Sequence, residues 1–291
     1  MIVNRIKEKL NHFSELVMFK HSVFSLPFIF IAMLVAAQGW FGWKLLVLGT
    51  LAAVTARNFA MGVNRYLDRD VDILNPRTKG RPSVDGRVSN AQMVGFIAIN
   101  AMLFIVVAYF VNTLAFQLSL PILLVLGAYT LFKRFSSMAH LILGVSLGLA
   151  PIAGVVAVNG EITLWSVYLA IGVMFWVAGF DLLYSLQDMA FDKAHGLHSI
   201  PSKFGANKTM WIARLFHLLA IVFWMYFVVT AGLGLWPRFP SNKGTIILYG
   251  NFCAASWTAK YVVRDTRGWS TRTIRHPGTS PGTCFKPHCM E

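Results

Sequence analysis

Long apolar runs without a single charged residue recur along this chain, and they restrict its fold more than any other feature. The stretches 26–37, 98–111 and 141–157 contain no Asp, Glu, Lys or Arg. Inside a bilayer every backbone polar group must be bonded within the protein, so an apolar segment of about 20 residues crosses it as a helix. The sequence therefore predicts an all-α, polytopic transmembrane helical bundle. We predict eight spans, near residues 22–39, 44–63, 92–111, 115–132, 139–158, 163–182, 211–233 and 244–263.

Composition excludes the other common classes of protein. The 291-residue chain is 56% hydrophobic and only 13% charged, whereas soluble domains carry about 25% charged residues. An aromatic content of 14% excludes a disordered chain, since disordered segments contain few aromatic residues. The net charge of +14 comes from basic residues in short bursts between apolar runs, not from one basic face. We therefore expect membrane lipid, and no nucleic acid, as a partner.

The basic bursts alternate between successive connections. Lys and Arg are frequent in the amino-terminal segment and in the second, fourth and sixth connections, whereas the third and fifth contain none. By the positive-inside rule, the amino terminus and these basic connections lie in the cytoplasm, and we predict a location in the cell inner (plasma) membrane. The predicted domains are an interfacial amphipathic segment over 1–20, a transmembrane domain over 21–263 and a polar, disordered tail over 264–291.

Seven of the twelve acidic residues lie in two of the connections predicted to be cytoplasmic. In the second connection Asn64, Asp68 and Asp72 stand four apart, so on a helix they share one face. Ionisable groups at a membrane boundary are costly and suggest a functional site. The alternative is a set of solvated helix ends.

A second acidic cluster lies in the sixth connection. Asp181, Asp188 and Asp192 follow one another at i, i+7 and i+11, again on one helical face, with Tyr184 beside them. Two such clusters repel each other unless cations lie between them, and oxygen-only ligands favour Mg²⁺, which commonly bridges carboxylates to phosphates. Basic residues beside the clusters complete a predicted diphosphate pocket: Arg69, Arg77, Arg81, Lys193 and Lys203.

The sequence around both clusters resembles the UbiA-type intramembrane prenyltransferases. Residues 57–65 read RNFAMGVNR, 68–72 read DRDVD and 75–82 read NPRTKGRP, which is similar to the family's N-D-x-x-D-x-x-x-D motif and its R-T-x-x-R-P stretch. The family's second motif, D-x-x-Y-x-x-x-D-x-x-x-D, is matched over residues 181–192. The resemblance covers about residues 15–235 and is strongest to the 4-hydroxybenzoate polyprenyltransferase branch.

The resemblance implies transfer of an isoprenoid chain from its diphosphate to an aromatic ring. It implies that Mg²⁺ is held on the polyprenyl diphosphate by Asn64, Asp68, Asp72, Asp188 and Asp192. It further implies that Arg57 clamps the carboxylate of the aromatic acid, that Arg69 and the neighbouring basic residues stabilise the departing diphosphate, and that Asp181 or Tyr184 orients or deprotonates the ring.

Two departures from the family pattern stand out. Position 65 is Arg where many members have Asp. The family usually has nine spans, but this chain shows eight and departs from the pattern after about residue 239, which an altered carboxyl end lacking a final span would explain.

Alternative functions remain at this stage. The acceptor is 4-hydroxybenzoate, on the ubiquinone route, or a dihydroxynaphthoate-type ring, on the menaquinone route. A transporter would also have many spans, but it predicts ionisable residues near the bilayer midplane. A CDP-alcohol phosphotransferase would need a D-G-x-x-A-R element, which is absent. His140, His195, His198 and His217 stand at no ligand spacing, and His198, near the second motif, is the only histidine considered as a site candidate. Gly144, Gly148 and Gly154 are predicted to be helix-packing positions.

Overall fold

The computed structural model describes residues 12, 13, 15, 16 and 26–233, and all its regular elements within them are helical. Two 3₁₀ turns lie over Tyr129–Arg134 and Leu186–Asp188. The α-helices in chain order are α1 (Leu26–Ala36), α2 (Trp43–Leu67), α3 (Arg69–Leu74), α4 (Asn90–Val111), α5 (Thr113–Ala128), α6 (Ala139–Asn159), α7 (Leu164–Ser185), α8 (Met189–Ala194) and α9 (Ile200–Thr230).

Six helical segments are long and apolar enough to cross a membrane, which confirms the predicted all-α polytopic bundle. Each coincides with one of the six predicted spans between 44 and 233. The described part of the first predicted span is α1, which has only 11 residues, and the span at 244–263 and the tail lie outside the described residues, as does nearly all of the segment 1–20. The six segments are Trp43–Leu67, Asn90–Val111, Thr113–Phe132, Ala139–Asn159, Leu164–Ala194 and Ile200–Thr230.

Helix α7 is the most buried of the six, and it packs between α6 and α9. Its contact with α6 depends on two glycines. A Cβ atom added at Gly144 would lie 2.3 Å from the carbonyl oxygen of Met174, and one at Gly148 would lie 2.8 Å from that of Ala170. Small residues allow membrane helices to approach this closely. The prediction that these glycines are packing positions is therefore confirmed.

Each acidic motif straddles the end of a long helix. α2 ends at Leu67 and α3 starts two residues later, while α7 is followed by a 3₁₀ turn and the short α8. The expectation of one continuous helical face is therefore wrong in detail. At Asp68, where ψ is 1°, the backbone departs from helical geometry. The departure is slight, because the Asp72 N–H still donates to the Asp68 carbonyl at 2.8 Å.

Candidate functional site

The first motif is held together by an amide and by the turn after α5. The Asn64 Nδ2 donates hydrogen bonds to the Asp68 Oδ2 at 3.1 Å and to the Thr130 hydroxyl at 3.3 Å. Asp68 and Thr130 are almost completely buried. Asn64 and Asp68 thus lie on one face, as predicted, and the partner from the 3₁₀ turn is one that the sequence pattern did not indicate.

Asp72, the last carboxylate of the first motif, is bound by an arginine from the following loop. The Arg81 Nη1 lies 2.7 and 2.6 Å from its two carboxylate oxygens, and only 6% of Asp72 is exposed. The hydroxyl of Thr78 donates to the Asp72 carbonyl at 2.8 Å, so the loop folds back over the helix end. A buried carboxylate is charged only when it is paired in this way.

The same loop reaches the second motif. The Arg77 Nε donates to the Asp188 Oδ1 at 3.0 Å, its Nη2 donates to the other oxygen, and its Nη1 lies 3.3 Å from the Tyr184 hydroxyl. Asn75 adds a hydrogen bond of 3.3 Å to the Asp188 Oδ1. Burial lowers the pKa of Arg77, but its hydrogen bonds and charge attraction to Asp188 outweigh this and raise the pKa overall. A permanently cationic side chain therefore joins motifs that are more than a hundred residues apart.

The first residue of the second motif has a different partner. The Asp181 Oδ2 lies 2.7 Å from Nδ1 of His140, which is buried in the first turn of α6. Tyr129, partly buried, directly precedes Thr130 in the 3₁₀ turn after α5. The Nε of Arg57 is buried and has no hydrogen-bond partner within 26–233 or the four earlier described residues.

The remaining predicted site residues are Arg69, Asp192, Lys193 and Lys203. Arg69 donates to the side chain of Asn90 and faces an open groove also lined by Arg134. Asp192 lies on α8, partly buried. The predicted basic residues of the second motif, Lys193 and Lys203, are both exposed.

Arg65 stands where the family pattern often has Asp. Its side chain is buried, and the acidic cluster is not its only neighbour. Its Nε donates to the carbonyl of Leu16 at 3.4 Å. This contact joins the end of α2 to the amino-terminal segment.

The donor chemistry of the two motifs fits a hard divalent cation. Every candidate ligand offers oxygen, and Asp72 and Asp188 each already bind a guanidinium, so each carboxylate is built to face positive charge. Within the described part of the chain, no three His, Cys, Asp or Glu side chains converge as a ready metal site. The carboxylates would have to exchange an arginine for a metal ion.

Three residues of this region were not selected from the sequence: Asn75, Thr130 and His140. Each makes its contact with a residue 41 to 113 positions away in the chain. No local spacing indicates such a pair. Of the three residues, only Asn75 lies within a motif stretch quoted above, NPRTKGRP.

The comparisons with known proteins all point to one family. The UbiA prenyltransferase family model matches residues 25–268, further along the chain than the resemblance seen in the motifs. A 4-hydroxybenzoate octaprenyltransferase of Paracidovorax citrulli is 31% identical over 206 residues, which cover 71% of this chain and 69% of that protein. One from Herminiimonas arsenicoxydans is 28% identical over 204 residues, covering 70% and 71%.

Solved structures agree on the fold. The apo structure of a UbiA homolog from Aeropyrum pernix K1 has a TM-score of 0.72 and 31% identity, covering 88% of this chain and 90% of that one. A UbiA homolog from Archaeoglobus fulgidus bound to GPP and Mg²⁺ has a TM-score of 0.65 and 20% identity, covering 93% and 91%. The earlier resemblance is thereby confirmed, and this multi-pass membrane chain belongs to the UbiA prenyltransferase family.

Proposed function

We propose that this prenyltransferase moves a polyprenyl chain from its diphosphate to the ring of an aromatic acid, 4-hydroxybenzoate, with Mg²⁺ as cofactor. The observation that carries the proposal is the junction of the two acidic motifs through Arg77 and Asn75, which makes one polar site at one end of the helices. The names of the most similar relatives support 4-hydroxybenzoate as the acceptor.

The metal ligands in this proposal are oxygen donors of both motifs. When bound, Mg²⁺ would neutralise the diphosphate and assist its departure. The structure of the Archaeoglobus homolog with GPP and Mg²⁺ supports this cofactor. The proposed ligands are Asn64, Asp68, Asp72, Asp188 and Asp192.

The arginines then exchange partners. Arg77 and Arg81, which bind Asp188 and Asp72 in the absence of substrate, are free to bind diphosphate oxygens once the carboxylates face metal. The planar guanidinium matches phosphate oxygens well. Lys193 adds positive charge. Lys203 and Arg69 are assigned to the same anion because they lie beside the two acidic clusters in the sequence, and Arg69 is bound to Asn90 in the absence of substrate.

The positive charge around the diphosphate promotes cleavage of its carbon–oxygen bond. The electron pair of the carbon–oxygen bond leaves with the diphosphate, and the allylic cation that remains is attacked by the electron-rich ring. Arg57 holds the carboxylate of the aromatic acid, because its buried Nε has no hydrogen-bond partner in the described residues and a carboxylate would satisfy it. Asp181 or Tyr184 orients or deprotonates the ring, as the resemblance implies. Both motifs face the cytoplasm, as the basic connections require.

The test is prenyl transfer by the full chain in native membranes. With Mg²⁺, a polyprenyl diphosphate and 4-hydroxybenzoate, we expect a prenylated ring, and Asp68→Ala or Asp188→Ala should lower its rate at least about 100-fold. Asp85→Ala is the matched control, because Asp85 is an exposed loop acid bound to Arg87. A dihydroxynaphthoate is offered in parallel. Product from that ring alone would refute the acceptor, and equal rates for Asp68→Ala and Asp85→Ala would refute the site.

A further inference from the structure

The pair formed by the buried His140 and the partly exposed Asp181 is a second polar element of this chain. The two side chains come from α6 and α7 and meet at 2.7 Å. Only 7% of His140 is exposed. Its other ring nitrogen, Nε2, is shielded from solvent and has no hydrogen-bond partner in the described residues.

The carboxylate determines which nitrogen carries the proton. An ionised carboxylate only accepts hydrogen bonds, so Nδ1 must be the protonated nitrogen where it faces Asp181. In the neutral imidazole Nε2 then presents a lone pair. A buried acceptor without a donor is unfavourable and uncommon. The missing donor is therefore expected to come from a bound molecule.

The surroundings indicate which molecule that is. His140 bonds to Asp181, the first residue of the second motif, so His140 lies beside the site proposed above. Arg57 offers an unsatisfied cationic donor, and His140 offers an unsatisfied neutral acceptor. The cationic donor complements the carboxylate of a hydroxylated aromatic acid, and the neutral acceptor complements its hydroxyl.

We propose that His140 Nε2 binds the ring hydroxyl of the aromatic acceptor and takes its proton during transfer, and that Asp181 positions His140. This inference rests on the proposed function and requires the acceptor to carry a hydroxyl. The diphosphate leaves with the electron pair of its carbon–oxygen bond, and the ring carbon next to the hydroxyl then forms the new carbon–carbon bond with the allylic cation. The hydroxyl proton moves to Nε2, which leaves a neutral dienone. Loss of the proton on the substituted carbon and return of one proton to the oxygen restore the phenol, so one proton is released overall.

The test variant is His140→Asn. An asparagine amide can keep a donor near the position of Nδ1, and hence the bond to Asp181, but it removes Nε2. We expect the rate of 4-hydroxybenzoate prenylation to fall at least about 100-fold, as for loss of a general base. Stabilisation of the protein by GPP with Mg²⁺ should be unchanged, which shows that the variant is folded and binds diphosphate. His217→Asn is the matched control, because the His217 Nδ1 bonds to its own helix at the Ala213 carbonyl.

A binding measurement isolates the hydroxyl. Wild-type protein should bind 4-hydroxybenzoate about 2- to 10-fold more tightly than benzoate, the value of one net hydrogen bond, and His140→Asn should bind the two equally. Asp181→Asn should lower the rate of transfer while the affinity for benzoate stays unchanged, since it permits the wrong tautomer. Unchanged transfer by His140→Asn, with Asp68→Ala inactive, would overturn this inference and leave the proposed function standing. Absence of transfer by the wild type would instead refute both.

Discussion

Substitution of Gly144 by alanine tests how closely α6 and α7 must pack. The new Cβ would lie 2.3 Å from the Met174 carbonyl oxygen, and real Cβ atoms essentially never approach closer than 3.0 Å, so the helices must separate by at least 0.7 Å. The obstacle is backbone and cannot rotate away. Overpacking of this kind costs about 1–3 kcal/mol, and the better helix propensity of alanine offsets about 1 kcal/mol.

We therefore expect a net loss of up to about 2 kcal/mol in unfolding free energy, or a Tm lower by up to about 8 °C. The same separation would lengthen the hydrogen bond between His140, one turn from Gly144 on α6, and Asp181, two turns from Met174 on α7, so prenyl transfer should fall as well. Tm is measured in detergent by tryptophan fluorescence. Gly95→Ala is the control, because nothing lies within 4 Å of its new Cβ and its Tm should be unchanged or higher. A Gly144→Ala protein that melts at or above Gly95→Ala would refute the packing argument.

Three further substitutions test exposed features. The hydrogen bond from Arg134 holds the pKa of Asp70 below its usual value of 3.8, so this pair stabilises the fold above that pH and the contribution is lost as pH falls below it. Asp70→Asn should therefore reduce the loss of unfolding free energy between pH 5 and pH 3, which is followed as the fall in Tm. The reduction should be about 1 kcal/mol or less because the pair is exposed. Ser89→Ala should remove the capping box of α4, formed with Gln92, and lower the stability by about 1 kcal/mol, measured as Tm against wild type. Gly160→Ala should cost about 1–2 kcal/mol because φ there is +71°, and an unchanged Tm would contradict that reason.

Local sequence patterns were sufficient to predict the helices but not the positions of the helix ends. Uncharged apolar runs correctly predicted the six long helices, because the requirement for internally bonded backbone acts on each segment separately. The continuous helical face through Asp68 was wrong in detail, since the backbone departs from helical geometry there, between α2 and α3. Helix ends respond to tertiary contacts more than helix interiors do.

The candidate site shows the same division between what the sequence determines and what the tertiary structure decides. The sequence by itself determined the membrane fold and the acidic motifs, because periodicity and residue type are local properties. It also indicated that cations must lie between the two acidic clusters. The tertiary structure alone decided which cations those are in the absence of substrate: Arg77 binds the distant Asp188, while Arg81 binds Asp72 of its own motif. It also decided that His140 meets Asp181, since close packing of α6 on α7 through Gly144 brings the two side chains within hydrogen-bond distance.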